Sequence, residues 1–501
     1  MSIGKPKYII SLDQGTTSSR AVVYNKKAEP LFAQNVEYPQ IYPKPGWVEH
    51  NPMDIYNSQL EALKAVIEKQ KIRPGEIAAL GITNQRETVI VWDKKSGKPV
   101  YNAIVWQCRR TADLCEKLIK KGYAEEIQAK TGLLIDAYFS GTKIKWILDS
   151  DPLIKKRAKA GELLAGTVDT WLIWNLTGGK VHVTDRTNAS RTMLYNIHTL
   201  QWDSELLKML DIPECLLPEV KDSSCIYGMT NPEILGYSVP IASAIGDQQA
   251  ALFGQGCFKK GDAKNTYGTG CFMLMNTGSR PVASKNRLLT TIALSLSGKV
   301  TYALEGSVFM GGATIQWLRD GLKLISTAHE CDLLAESVPD SAGVLLVPAF
   351  TGLAAPYWDM YARGTILGLT RGTTKAHICR AALEGIALQV HDVIRCMEND
   401  ARCKVKSLKV DGGASVSDIM MQFQSDILAS DVVRPKNVET TALGAAFLAG
   451  LAAGFWESTD ELLENWKTDK VFSSRMEAKE RKLIESRWAK AVERSQKWEG
   501  Q

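Results

Sequence analysis

Short apolar runs that close on an acidic residue and then on glycine punctuate this chain. Residues 8–12 close on Asp13-Gln14-Gly15, and residues 21–24 resume the apolar pattern, which predicts a hairpin. Residues 408–410 close in the same way on Asp411-Gly412-Gly413. Between them, residues 53–69 carry helical spacing behind Asn51-Pro52, a cap followed by a first-turn proline. Residues 77–83 and 88–92 are strand-like around Asn84-Gln85-Arg86-Glu87. Strands alternating with helices predict an α/β fold with a mixed sheet.

The pattern starts again near residue 255. Residues 264–267 and 271–275 flank Gly268-Thr269-Gly270, matching the first hairpin in order but lacking its Asp. Asp247, in Ile245-Gly246-Asp247-Gln248-Gln249, stands late in the first half much as Asp411 stands late in the second. This is a weak internal repeat, and it sets a boundary at 254–256, with an N-terminal lobe over 1–254 and a C-terminal lobe over 255–501. Residues 442–456 predict a helix whose small side chains let a neighbour approach closely, and 476–498 a charged helix packed on one side.

Composition narrows the picture. At 501 residues the chain is too long for one core. Its 61 basic and 55 acidic residues leave a net charge of +6 with no Lys/Arg run, so nucleic acid is not implied as a partner. The ten cysteines form no CxxC pair and predict free thiols in a reducing compartment. The first apolar run is too short for a signal peptide, and 442–456 falls short of the roughly 20 residues that span a bilayer. A cytoplasmic protein without membrane insertion is expected.

A strand that ends in Asp and turns through Gly places a carboxylate beside unobstructed backbone N–H groups, a chemistry that suits a metal ion and phosphate oxygens together. Thr16, Thr17, Ser18 and Ser19 add hydroxyls and Arg20 a cation, while Asp13 suits Mg²⁺. The segment is neither a Walker A motif nor a kinase glycine-rich loop. A polar hairpin at a sheet edge is the plainer alternative. On the residues alone, Arg86-Glu87 is an ion pair past a strand, both facing one pocket only if the backbone turns there. Asp247 is either a catalytic carboxylate or a helix cap. Trp106 and Phe272 taken singly read as core residues.

Two longer segments carry a resemblance. Tyr138-Phe139-Ser140-Gly141-Thr142-Lys143-Ile144-Lys145-Trp146-Ile147 is one. The other opens with Gly364-Thr365-Ile366-Leu367-Gly368-Leu369 and closes with His377-Ile378-Cys379-Arg380-Ala381-Ala382-Leu383-Glu384. Together they resemble the two signatures of the FGGY carbohydrate kinases, which share the duplicated actin/Hsp70-like ATPase fold. Ile82-Thr83-Asn84-Gln85-Arg86-Glu87-Thr88, Trp106-Gln107-Cys108-Arg109-Arg110 and Gly246-Asp247-Gln248-Gln249 are similar to the members that act on glycerol. The likeness runs from about residue 8 to 460.

The resemblance implies two RNase H-like lobes around a cleft. It also implies ATP and Mg²⁺ as cofactors and phosphorylation of glycerol to sn-glycerol 3-phosphate in glycerol uptake and catabolism. Arg86 would donate to substrate hydroxyls and Glu87 accept from them. Trp106 and Phe272 would wall the CH faces, with Tyr138 and Gln248 as further contacts. Asp247 becomes the catalytic carboxylate and, with Asp13, a metal ligand. Thr16, Thr17, Ser18, Arg20 and Thr269 would meet phosphates, and Gly312, Gln316 and Gly413 the nucleotide. Ser417 stands where the family often has Asn, and a hydroxyl replaces only part of an amide's hydrogen bonding. Homo-oligomers, dimers or tetramers, are the family expectation.

A pentose or hexose kinase of the family would lack the Arg-Glu and Trp-Gln-Cys-Arg-Arg segments, and an actin-like filament former would lack a polyol pocket. An NAD oxidoreductase is disfavoured by the missing GxGxxG fingerprint. In some bacterial relatives a Gly/Arg-rich loop binds fructose 1,6-bisphosphate, and in others a His in that region is phosphorylated. Here the corresponding residues 230–238 hold no Arg and no glycine run, and no His lies between His198 and His329. Activity is therefore expected to be unchanged by fructose 1,6-bisphosphate at physiological levels; dose-dependent inhibition in a steady-state assay would overturn this.

Overall fold

The computed structural model describes residues 5–499. In the N-terminal half, β1 (Tyr8–Gln14) and β2 (Ser18–Tyr24) form the predicted hairpin, and β3 (Pro30–Glu37) extends it. Helix α1 (Pro52–Lys69) starts at Asn51, whose side chain accepts from the Met53 amide, with Pro52 in its first turn. It returns the chain to β4 (Ile77–Asn84), parallel to β1. An insertion follows, carrying a small antiparallel sheet and α2 (Ser140–Ser150). The chain re-enters the main sheet at β5 (Ser224–Met229) and β6 (Pro240–Gly246), and β6 leads into α3 (Asp247–Gly254).

The C-terminal half repeats this. A hairpin of β7 (Ala263–Tyr267) and β8 (Cys271–Gly278) is followed by β9 (Leu289–Leu296) and β10 (Lys299–Val308). Then come α4 (Gly312–Gln316), the long α5 (Lys375–Ala401), β11 (Ser407–Asp411), α6 (Asp418–Leu428), β12 (Asp431–Pro435), α7 (Thr440–Ala452), β13 (Thr468–Phe472) and α8 (Ala478–Ser495). The main sheet runs β13-β12-β11-β7-β8-β10-β9-β5-β6-β4-β1-β2-β3. Each half contains one five-strand pattern: β3-β2-β1-β4-β6 and β10-β8-β7-β11-β12 share antiparallel first pairs and parallel last pairs. The halves meet in the sheet at a single bridge, Ser224 to Leu296.

This duplication corrects two expectations. Asp411 ends the fourth strand of its unit, so its counterpart is Asn84 at the end of β4, not Asp247, which follows a fifth strand. The first Asp-Gly turn is also tighter than expected. Asp13 lies inside β1 opposite Arg20, the turn itself is residues 15–17, and Ser18 and Arg20 belong to β2.

The equivalent helices α3 and α7 hold the halves together by crossing. A Cβ on Gly444 would fall on the Ala250 carbonyl oxygen, and one on Gly254 on that of Thr440. Such backbone-on-backbone approach is open only to glycine. Each helix also packs on the opposite half. On α7, the Ala445 and Leu448 carbonyls accept from Ser243 and Ser224 hydroxyls at 2.8 Å. On α3, Leu252 is buried among Leu274, Ala293 and Ala303 of the C-terminal strands. The ten cysteines are free, and among the described residues no helix is long and apolar enough to cross a membrane. Helix α8 buries Trp488, Ala491 and Val492 along one face.

Gly444→Ala should cost about 3 kcal/mol, the upper range for overpacking a tight contact, and lower the melting temperature in scanning fluorimetry. Gly413→Ala should leave the melting temperature unchanged, because a Cβ there meets nothing within 4 Å.

Candidate active site

Past the end of β4 the backbone reverses sharply. The Thr88 amide donates to the Arg86 carbonyl at 2.8 Å, and the intervening Glu87 has φ +63°. This is a γ-turn through the left-handed region, strained by about 1–3 kcal/mol for a non-glycine residue. The turn is what lets Arg86 and Glu87 face the same interior. Both are buried, as the reading of one shared pocket requires.

The Arg86 guanidinium is held from several sides. Its Nη1 and Nη2 donate to the two carboxylate oxygens of Glu305 at 2.6 and 2.9 Å. Its Nη1 also reaches Gln249 Oε1 at 3.1 Å and its Nη2 the Tyr138 hydroxyl at 3.4 Å. Its Nε lies 3.2 Å from Asp247 and 3.9 Å from Glu87. Arg191 completes the cluster, donating to Glu87 Oε1 at 2.6 Å and Glu305 Oε1 at 2.9 Å. Burial pushes the Glu305 carboxyl up, but Arg191 and Arg86 outweigh it and hold the group at about 2. Burial raises the Glu87 carboxyl despite both arginines. Arg191 Nη1, also buried, has no hydrogen-bond partner among the described residues. A dry cluster of this kind, with donor capacity left over, suits a polyhydroxyl ligand.

Asp247 opens α3 beside this cluster. Gly246 is the capping residue, and Asp247 Oδ1 accepts from the Gln248 amide at 2.7 Å. A Cβ on Gly246 would lie 2.7 Å from Arg86 Cδ, so glycine is required for Arg86 to lie against Asp247. Burial pushes the Asp247 carboxyl up, and Arg86 opposes it. Gln248 Oε1 accepts at 2.6 Å from the buried Lys264, whose Nζ also reaches Thr266 at 2.9 Å. Burial lowers that ammonium to about 8 against the pull of Asp411 and Asp247. Phe272, half-buried on β8, is the register partner of Thr266. Trp106 meets Tyr138 edge-on, 5.7 Å between centroids, and its indole donates to Thr16 Oγ1 at 3.0 Å. Arg86, Glu87, Trp106, Tyr138, Asp247 and Gln248 are thus linked by direct contacts, with Phe272 adjoining through Thr266.

Thr16 joins this group to the hairpin turn. The Gly15 carbonyl accepts from Tyr38 Oη, Gln14 Nε2 and Gln85 Nε2 at 2.6, 2.7 and 3.1 Å. The Thr16 carbonyl accepts from Tyr38 at 2.8 Å. The Gly15 amide itself donates to the Ser18 carbonyl at 2.9 Å, so Thr16 and Thr17 are the turn residues whose amides can face an anion. Thr17 is exposed and Ser18 half-buried. Asp13 lies within electrostatic reach of Asp247: burial pushes its carboxyl up to about 7, the Asp247 charge adds to this, and Arg20 opposes it. A carboxyl raised by the charge of a second carboxylate fits a hard cation. No third acid, His or Cys completes a metal-binding group among the described residues, which suits Mg²⁺ because it keeps several waters.

In the C-terminal half, the Thr269 side chain is exposed, while its carbonyl accepts from Gly311 and Ala313 amides at 2.8 and 3.1 Å. The Gly312 amide donates to Gly268 at 2.8 Å, and Gln316 is exposed at the end of α4. Gly413 faces open space, whereas Gly412, at φ +85°, passes so near Tyr267 that a Cβ would lie 2.6 Å from its carbonyl oxygen. Three polar groups are already engaged inside the protein. The Ser417 hydroxyl caps α6 and donates to Asp332 at 2.6 Å. Arg20 pairs with Glu439 of the C-terminal half. Asp411 Oδ2 accepts from Gln255 at 2.9 Å and from Thr440. Glu305, Arg191, Lys264 and Tyr38 were missed in the sequence. The available signal was a charge inside an apolar strand, as in Tyr302-Ala303-Leu304-Glu305 and Ala263-Lys264.

Residues 8–254 match the N-terminal domain of the FGGY family of carbohydrate kinases, and 263–453 its C-terminal domain. The chain belongs to the FGGY family of carbohydrate kinases. Its two five-strand units are the duplicated, actin-like ATPase fold of that family. It is 61% identical to glycerol kinase 2 of Thermotoga maritima, over 98% of this chain and 99% of that protein. It is 60% identical, at the same coverage, to the glycerol kinase of Caldanaerobacter subterraneus subsp. tengcongensis. Among solved structures it is similar to Plasmodium falciparum glycerol kinase with ADP, with a TM-score of 0.94 and 40% identity over 99% of both chains. The ligand-bound xylulose kinase of Lactobacillus acidophilus is more distant, with a TM-score of 0.87 and 25% identity over 97% of each chain.

The Asp13 shift carries a sign. A carboxyl raised from 3.8 to about 7 favours the fold below its unfolded value, and that contribution is lost as pH rises through about 7. In metal-free buffer, Asp13→Asn should therefore melt higher than the unaltered protein at pH 8 and alike at pH 4. Added Mg²⁺ should raise the melting temperature of the unaltered protein more than that of the variant.

Proposed function

We propose that this FGGY kinase transfers the γ-phosphoryl group of MgATP to a terminal hydroxyl of glycerol, giving sn-glycerol 3-phosphate and ADP. The observation that carries the reading is the junction of Asp247 with the buried Arg86–Glu87 turn, in a chain about 60% identical to glycerol kinases over nearly its full length. A three-carbon triol needs donors and acceptors for its hydroxyls and apolar walls for its CH faces. Arg86 donates, Glu87 accepts, Tyr138 and Gln248 add polar contacts, and Trp106 and Phe272 form the walls.

An alcohol is a weak nucleophile. As its oxygen bonds to the γ-phosphorus and the bond to the β-phosphate oxygen breaks, the hydroxyl proton passes to the Asp247 carboxylate. Burial, by raising that carboxyl, makes it a better acceptor, while Arg86 Nε at 3.2 Å opposes that rise and orients the group. The 15–17 turn and Thr269 bind phosphate oxygens from opposite lobes, with Gly312, Gln316 and Gly413 on the nucleotide side. Asp13 and Asp247 would hold Mg²⁺, which would supply charge neutralisation for the phosphates. A closed cleft excludes water, which is itself a phosphoryl acceptor. Cytoplasmic location and assembly as a dimer or tetramer belong to the same reading, by likeness to the family.

ADP release measured across glycerol, dihydroxyacetone, xylulose and gluconate should be fastest with glycerol at limiting concentration; a preference for xylulose or gluconate would overturn the substrate. Asp247→Asn should keep nucleotide binding while kcat falls about 10²-fold or more, in line with loss of a general base. Arg86→Ala and Glu87→Gln should instead raise the KM for glycerol with that for MgATP little changed.

A further inference from the structure

Glu305 is a buried carboxylate on β10, a strand of the C-terminal half, yet both of its oxygens are taken by arginines of the N-terminal half. A buried ion cluster is poor value for stability alone, since well-packed apolar side chains of similar volume do as well or better. Its geometry is specific, however. The bidentate grip takes Nη1 and Nη2 of Arg86 and leaves Nε facing Asp247 at 3.2 Å and Glu87 at 3.9 Å. Arg191 spans the other side, tying Glu305 to Glu87 through bonds of 2.9 and 2.6 Å. The donor and the acceptor assigned to the triol are thus both oriented by one carboxylate from the opposite lobe.

We propose that Glu305 is a positioning residue for the polyol site: contributed by the C-terminal lobe, it aims Arg86 directly and Glu87 through Arg191, so that the triol pocket is assembled only across the two lobes. This rests on the reading of Arg86 and Glu87 as triol contacts. Without the Glu305 charge, Arg86 is free to pair bidentately with Asp247 or Glu87, closing the pocket on itself.

The test compares Glu305→Gln, Glu305→Asp and Arg86→Ala by steady-state kinetics in the full-length protein, with glycerol and MgATP varied in turn. The expected result is a rise of at least fivefold in the KM for glycerol in both Glu305 variants, with the KM for MgATP within twofold of the unaltered protein. A smaller rise, or an equal rise in both constants, overturns the proposal. A merely structural role would lower the active fraction, and so kcat, and leave both constants unmoved. If Glu305→Gln does not fold, Glu305→Asp, which keeps the charge and shortens the reach, decides on the same criteria. Arg86→Ala separates the two levels. An unchanged glycerol KM there removes the underlying pocket, whereas a raised one beside normal Glu305 variants removes this proposal alone.

Discussion

Two helices touching backbone to backbone set the terms for the rest of this molecule. Helices α3 and α7 occupy equivalent places in the two repeats, and their crossing is closed by Gly254 and Gly444. Each lies on the other repeat's strands, so the two lobes share helices as well as a face. The main sheet, by contrast, is continuous between lobes through one residue pair only. Side-chain volume at the crossing would part the lobes, and with them every group that must meet in the cleft.

The charge arrangement follows from that geometry. Asp247 is the first residue of α3, so the helix that joins the lobes also presents the carboxylate proposed to accept the substrate proton. A helix N-terminus favours a negative charge there. Gly246 makes room for Arg86, and the strained turn at Glu87 brings both members of the pair inward. Strain, burial and like-charge proximity accumulate at one place, and each is offset by a specific partner. Such concentration is what marks a site rather than a surface.

Much of this was legible in the sequence, for definite reasons. Hairpins, the capped α1 and the small-residue α7 announce themselves locally, through alternation, a cap with proline, or glycine spacing. The requirement for a backbone turn at Arg86-Glu87 could be stated before any coordinates. What stayed hidden is long-range. Glu305 lies 219 residues from Arg86, and nothing in either neighbourhood names the other. Matching order also misled. The N-terminal repeat carries its large insertion between β4 and β6, and the C-terminal one carries its own between β10 and β11. Equal lateness along the chain therefore equated Asp411 with Asp247, although Asp411 ends a fourth strand and Asp247 follows a fifth.

Asp411 acquires a different meaning from its actual bonds. One oxygen of its carboxylate accepts from Gln255, just past α3, and from Thr440, the first residue of α7. The next residues are Gly412 and the open Gly413. The acidic residue of the second turn is thus a clasp fastening both crossing helices, beside the glycines proposed to face the nucleotide. The pivot between the lobes and the proposed nucleotide wall therefore share one buried carboxylate.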